Sequence, residues 1–146
     1  MLRQLYGTVT ITATVQREAL QTGAPATLRQ FVACPQAWLV IVDDVQPYLP
    51  ETSALDPGEA SAITLAWQHR EKSLLIMDEK RGRRVSMALG LRITGAAGML
   101  TDAAAVGLID FEATFQRIAL TKFRLAGPLV EILRNRHQAK VVSPAI

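Results

Sequence analysis

The chain has 146 residues, 49% of them hydrophobic and 20% charged, a composition that excludes a disordered chain and leaves enough length for a real core. Its 16 basic and 13 acidic residues give a net charge of +3, which favours an anionic partner without requiring one. One cysteine, Cys34, excludes an internal disulfide and a cysteine-based zinc site within one chain, and it suits a reducing, cytoplasmic setting.

Met1-Leu2-Arg3-Gln4 lacks the apolar run of a secretory leader. In chain order, the β-branched alternation of Thr8-Val9-Thr10-Ile11 predicts a strand. Thr14 is placed to cap a short helix over residues 15–21, with Glu18 in its first turn. Gly23 and Pro25 interrupt it, and residues 26–32 form a second short helix. Trp38-Leu39-Val40-Ile41-Val42 predicts an apolar strand, followed by a surface loop carrying Pro47 and Pro50. The clearest helix starts at Asp56 as N-cap, with Pro57 at N1 and Glu59 at N3. Ala62, Ile63, Leu65, Ala66 and Trp67 make it apolar on most sides, so it belongs in the interior.

Residues 73–77 predict a short strand, and 79–89 a helix with Val85, Ala88 and Leu89 inward, stopped by Gly90. A strand over 91–94 and a turn over 95–98 follow. Helices then cover 99–106, 111–120 and 129–138. The apolar region 87–109 is broken by Arg92, Asp102 and several glycines and does not predict a membrane span. Strand–helix alternation of this kind predicts an α/β fold with a mostly parallel sheet and helices on both faces. The whole chain, 1–146, is expected to be one domain, with residues 110–146 a C-terminal helical extension of it.

Three acidic positions carry the candidate chemistry, and each has a plainer reading. Glu59 at N3, three residues after Asp56, resembles a capping box with Asp in place of Ser or Thr. That reading leaves Gly58 unexplained. Glycine at N2 costs helix stability relative to alanine, and it would let another chain or a ligand come close. Asp78 and Glu79 follow an apolar strand, where parallel sheets collect ligands but where helix N-caps are also common. Glu18 is either a solvated first-turn acid or a third member of the set.

If the sheet brings these helix starts to one rim, their mutual repulsion makes a hard divalent cation the natural occupant. Such a site suits phosphodiester hydrolysis. Lys80, Arg81, Arg83 and Arg84 then stand ready for phosphates, or else form a solvated helix face. A second basic stretch holds Arg117, Lys122, Arg124, Arg134, Arg136 and Lys140 against Glu131 alone. His69 is read as a helix-end residue, Cys34 as a buried small residue, and Trp38 and Trp67 as core residues. No nucleophile elbow, phosphate-binding loop or dinucleotide fingerprint occurs.

The stretches LYGTVTITATVQREAL, LDPGEASAITLAW, LLIMDEKRGRRVSMALGLRITGAAGML and AVGLI resemble the bacterial and archaeal PIN-like family, related to the ribonuclease toxins of toxin–antitoxin pairs. The resemblance covers roughly residues 5–109. It implies a three-layer PIN-like fold around a mostly parallel central sheet, with Mg²⁺ or Mn²⁺ held by acids at the strand ends. Carried onto this chain, the metal and catalytic acids are Glu18, Glu59 and Asp78, with Glu79 beside them. Lys80, Arg81, Arg83 and Arg84 fall to nucleic-acid contact. RNA as substrate, an antitoxin-like protein as partner and self-association are implied as well. A non-catalytic module that binds nucleic acid or protein is the alternative.

Departures from the family pattern stand beside the match. The family's first strand, with its Asp, has no counterpart after Met1, so either the true start lies upstream or the form is shortened, and with one acidic ligand absent catalysis is expected to be impaired. Thr12 stands where Pro is usual, Ala96 where Thr is usual and Ala104 where Lys is common. The expected response to a missing central strand is direct pairing of residues 8–11 with residues 74–77.

Overall fold

The computed structural model describes residues 1–121 and 127–142. The chain divides into two compact units, Leu2–Thr94 and a second comprising Met1 and Gly95–Ile146.

The first unit opens with a one-turn helix that the sequence did not suggest, α1 (Leu2–Tyr6). Strand β1 (Val9–Thr12) follows, then helices α2 (Ala13–Ala19) and α3 (Ala26–Ala33), and strand β2 (Leu39–Val42). A short 3₁₀ turn at Pro50–Thr52 leads into α4 (Pro57–Gln68). Strand β3 (Leu75–Ile76), helix α5 (Lys80–Ala88) and strand β4 (Ile93–Thr94) complete the unit. The architecture is mixed α/β with short parallel strands. β1 pairs with β2 in register from Val9–Leu39 to Thr12–Val42, and β3 pairs with β4 through Leu75–Ile93 and Ile76–Thr94.

The expectation that β1 lies directly against β3 is not met. The described strands form two separate two-stranded sheets and not one central sheet. The physical reason lies in α4, which packs against both β1 and β3. Each ladder is closed by its own helical crossover and sets one strand against α4, so both are anchored on the same helix without pairing with each other.

Helix α4 is the interior element its composition predicts. Ile63 is completely buried, and it forms a core with Ala66, Met77 and Leu91, flanked by Leu49, Leu55, Trp67, Leu75, Val85, Leu89 and Ile93. Ala88, expected inward, is exposed, and the buried face of α5 is made by Gly82 and Ser86. An added Cβ at Gly82 would stand 2.7 Å from Met77 Sδ, so any larger residue there would have to push the Met77 side chain aside. The predicted stop at Gly90 is a Schellman end: φ is +73°, Gly90 N–H bonds Met87 O and Leu91 N–H bonds Ser86 O, both at 3.0 Å.

In the second unit the expected turn over residues 95–98 is instead the start of α6 (Ala96–Ala105), with Gly95 as N-cap. Helix α7 (Phe111–Ala119) is capped by Asp110, whose carboxylate accepts the Ala113 N–H at 2.7 Å. Helix α8 (Gly127–Val142) follows. Ala97, Ala104, Phe111, Phe115 and Leu133 form its core. Arg134 forks onto Glu112 at 2.6 and 3.1 Å and reaches Glu131 at 2.6 Å. These exposed pairs fix geometry more than they stabilise. Lys122 and Arg124 lie outside the described residues.

Candidate metal and nucleic-acid face

Helix ends and strand ends position the acidic residues, all within Leu2–Thr94. The starts of α2 and α4 are tied together first. Thr12, not Thr14, is the N-cap of α2 and accepts the Val15 N–H at 3.1 Å. Its hydroxyl, completely buried, also meets the completely buried Ser61 hydroxyl at 2.7 Å. Ser61 donates to Gly58 O at 2.8 Å, so Thr12 is the donor of the pair. One threonine thus caps its own helix and grips the first turn of α4. Replacing Thr12 with Val is expected to cost about 1.5 kcal/mol, from a lost cap and an emptied buried acceptor site. A denaturant midpoint unchanged from wild type would refute that linkage.

Glu18, expected in the first turn of α2, stands in its last turn because the helix starts at Ala13, and it closes the second link. Its Oε1 accepts the Gly58 N–H at 2.9 Å. The position expected to provide that bond, Asp56, makes no side-chain cap, although it occupies the N-cap site. The cap of α4 is therefore supplied from forty residues away in the sequence. Gly58 is the reason it fits. A Cβ there would stand 2.1 Å from Glu18 Oε2, and the three nearest atoms all belong to Glu18.

Glu59 sits one residue further along, half-buried. The Asp56 backbone N–H favours its charged form, as the reciprocal half of a capping box would. Burial raises the Glu59 pKa above the ordinary value, and the charges of Glu79, Asp56 and Glu18 add to that rise, outweighing the Asp56 N–H. Glu79 is the N-cap of α5 and accepts the Gly82 N–H at 2.8 Å. The first turns of α4 and α5 are thus built alike: each offers a glycine N–H to a glutamate, and each places negative charge at the positive end of the helix dipole.

Glu18, Glu59 and Glu79 therefore share one electrostatic neighbourhood. Asp78, the exposed residue just after β3, is not among the charges that shift Glu59. Among the described residues no group of three or more acidic, histidine or cysteine side chains stands close enough to share a metal ion. Carboxylate oxygen is the donor type that a hard divalent cation takes. One oxygen each of Glu18 and Glu79 is bonded to an amide, and Glu18 Oε2 and Glu79 Oε1 are the atoms left for other partners.

The basic residues begin on the same stretch. Lys80, Arg81 and Arg84 are exposed on the first turns of α5. Arg83 is half-buried and donates from Nη1 to Met77 O at 2.7 Å, so it braces the strand end from which Asp78 emerges.

Asp44 was not singled out in the sequence. It follows β2 as Asp78 follows β3, and the same strand-end rule would have flagged it. Its Oδ1 accepts the Thr14 N–H at 3.1 Å, and its Oδ2 accepts the hydroxyls of Thr14 and Tyr48. Arg17 Nη2 donates to Thr14 Oγ1 at 2.6 Å. Burial alone would push the Asp44 carboxyl up. The bonds from Thr14 and Tyr48 and the Arg17 charge outweigh it and hold the carboxyl below its usual value.

Other readings are settled by position. Cys34, expected to be buried, is exposed at the end of α3. His69 is the C-cap of α4, as its place in the sequence suggests. Trp38 packs on Phe31 with ring centroids 5.6 Å apart, and Trp67 borders the core beneath Arg70. Among the described residues no helix is long and apolar enough to cross a membrane.

A family model described as a PIN domain matches residues 1–138. No curated protein and no solved structure shows a significant match. The match spans nearly the whole sequence and agrees with the mixed α/β architecture and short parallel strands: the chain belongs to the PIN-domain family.

Proposed function

We propose that this PIN domain is a divalent-metal-dependent ribonuclease of the toxin–antitoxin type, working at the face formed by the first turns of α4 and α5. The observation that carries the reading is the convergence of Glu18 on Gly58 beside Glu59, within the field of Glu79. Glu18, Glu59 and Asp78, with Glu79, are the residues that would hold Mg²⁺ or Mn²⁺. When bound, such an ion supplies Lewis-acid activation of water and of the phosphodiester. The chain's own part is electrostatic. Glu59 gathers negative charge in a partly desolvated place, and the helix ends of α4 and α5 hold Glu18 and Glu79 in position. Lys80, Arg81 and Arg84 provide phosphate contacts, and Arg83 supports them from Met77 O.

Cytoplasmic location, self-association and an antitoxin-like partner rest on the family resemblance alone. So does one PIN-like domain made from both units, which is supported by a single family model running across residues 1–138.

The test is Mn²⁺-dependent cleavage of RNA by the purified chain, abolished by chelator. Cleavage that ignores both metal and chelator defeats the reading. A second reading, a module that binds RNA or protein without cutting, is favoured by the amide bonds that occupy Glu18 and Glu79. It predicts RNA binding that survives chelator, with no cleavage at any Mn²⁺ concentration.

A further inference from the structure

We propose that Asp44 is a positioning residue, which sets helix α2 so that Glu18 reaches the amide of Gly58. The proposal deepens the nuclease reading, because Glu18 belongs to the acidic face on which that reading rests.

Helix α2 is only seven residues long, from Ala13 to Ala19. Thr12 satisfies its Val15 N–H, and Asp44 satisfies its Thr14 N–H. Both donors belong to the first turn, so the N-terminal end of α2 is held from two sides. Asp44 is itself immobilised. One of its oxygens receives the Tyr48 hydroxyl, and the Thr14 hydroxyl that donates to the same oxygen is held in turn by Arg17. Thr14 is buried, with 6% of its surface exposed, so these bonds have little competition from water.

Arg17 and Glu18 are adjacent on the last turn of α2. Arg17 reaches back to the Thr14–Asp44 pair, while Glu18 reaches forward to α4. A helix this short gains little from propensity and has few intrahelical bonds of its own. Its placement is therefore determined by what grips its ends. Asp44, at the end of β2, transmits the position of the β1–β2 ladder to the start of α2. Thr14 N–H, Thr14 Oγ1 and Arg17 pass it along one helical turn to Glu18. The same arrangement is absent from α5, where Glu79 caps Gly82 within its own first turn.

That contrast supplies an internal control. Amide hydrogen exchange at Gly58 reads the Glu18 bond directly and needs neither metal nor activity. In Asp44→Ala, exchange at Gly58 is expected to rise about tenfold while Gly82 stays at its wild-type rate. Asp44→Asn, which keeps an oxygen for the Thr14 N–H, should restore most of the protection. In a Glu18→Ala background, Asp44→Ala should change Gly58 no further.

Equal acceleration at Gly58 and Gly82 would show general destabilisation and overturn the proposal, as would no change at Gly58. If Asp44→Ala does not fold, Asp44→Asn and Tyr48→Phe are read by the same two amides, with smaller changes confined to Gly58. Failure of the nuclease reading would look different: Gly58 would respond to Asp44, yet the wild-type chain would neither bind Mn²⁺ nor cut RNA.

Discussion

Gly58→Ala is expected to destabilise the protein by about 2–3 kcal/mol, although the same substitution inside an ordinary helix stabilises by up to about 1 kcal/mol. The reversal of sign follows from one distance. The new Cβ would stand 2.1 Å from Glu18 Oε2 and 2.7 Å from its carboxyl carbon, far inside contact distance. Glu18 is a flexible side chain and can swing aside, but only by abandoning the Gly58 N–H. The cost is a charge-assisted hydrogen bond and a buried amide left without its partner. In a Glu18→Ala background the obstacle is gone. There Gly58→Ala should stabilise by up to about 1 kcal/mol, so the effect changes sign between the two backgrounds. Urea denaturation of the four proteins measures this cycle. An alanine penalty of the same size in both backgrounds would mean that Gly58 is needed for some reason other than Glu18.

Gly58 also shows how far the sequence could be read. A glycine at N2 of a well-capped helix is the one feature that ordinary capping chemistry does not explain, and read from the sequence it signals close approach by another chain or a ligand, not by the same chain. The approaching group is Glu18, forty residues earlier. Local signals of this sort were legible: Pro57 at N1, the Schellman end at Gly90 and the apolar body of α4 all stand where their residue types place them. Sequence alone could not choose between acceptors that compete for one amide. Asp56 was the local candidate to cap α4, and Glu18 performs that role through tertiary structure. Thr14 was the local candidate to cap α2, and Thr12 does so while Thr14 turns to Asp44.

Pairing of strands was the least legible feature. Periodicity identifies a strand but carries no information on its neighbour, and here α4 lets two ladders coexist without joining. The acidic positions were legible one by one, because strand ends and helix starts are places where carboxylates have work to do, although Glu18 ends its helix and does not begin it. Membership of one face was less so. Glu79, named beside Asp78, is the residue whose charge reaches Glu59, and Asp44 obeys the same strand-end rule on the other ladder.

Glu59→Gln should separate function from stability by moving them in opposite directions. On the nuclease reading, loss of this charge weakens cation binding and lowers Mn²⁺-dependent cleavage by about a hundredfold or more. The fold should gain from the same change. Gln retains an oxygen for the Asp56 N–H and is an accepted N3 residue of a capping box, so the local bond survives. What disappears is a carboxylate disfavoured by burial and by Glu79, Asp56 and Glu18. Because the folded pKa of Glu59 is raised, its ionisation weakens the folded state at pH values above that pKa. The penalty vanishes once pH falls below the ordinary glutamate value. The variant should therefore be more stable at pH 7 by a few tenths to about 1 kcal/mol, and the gain should shrink to nothing near pH 4. Added salt should reduce the part due to Glu79, Asp56 and Glu18. Thermal unfolding at the two pH values, with and without Mn²⁺, reads all of this together. The ion should raise the midpoint of the wild-type chain more than that of the variant, since at one ion concentration the tighter binder is stabilised more, as the logarithm of its affinity. Equal Mn²⁺ shifts in both proteins, with equal cleavage, would remove Glu59 from the site and leave it a helix cap under electrostatic strain.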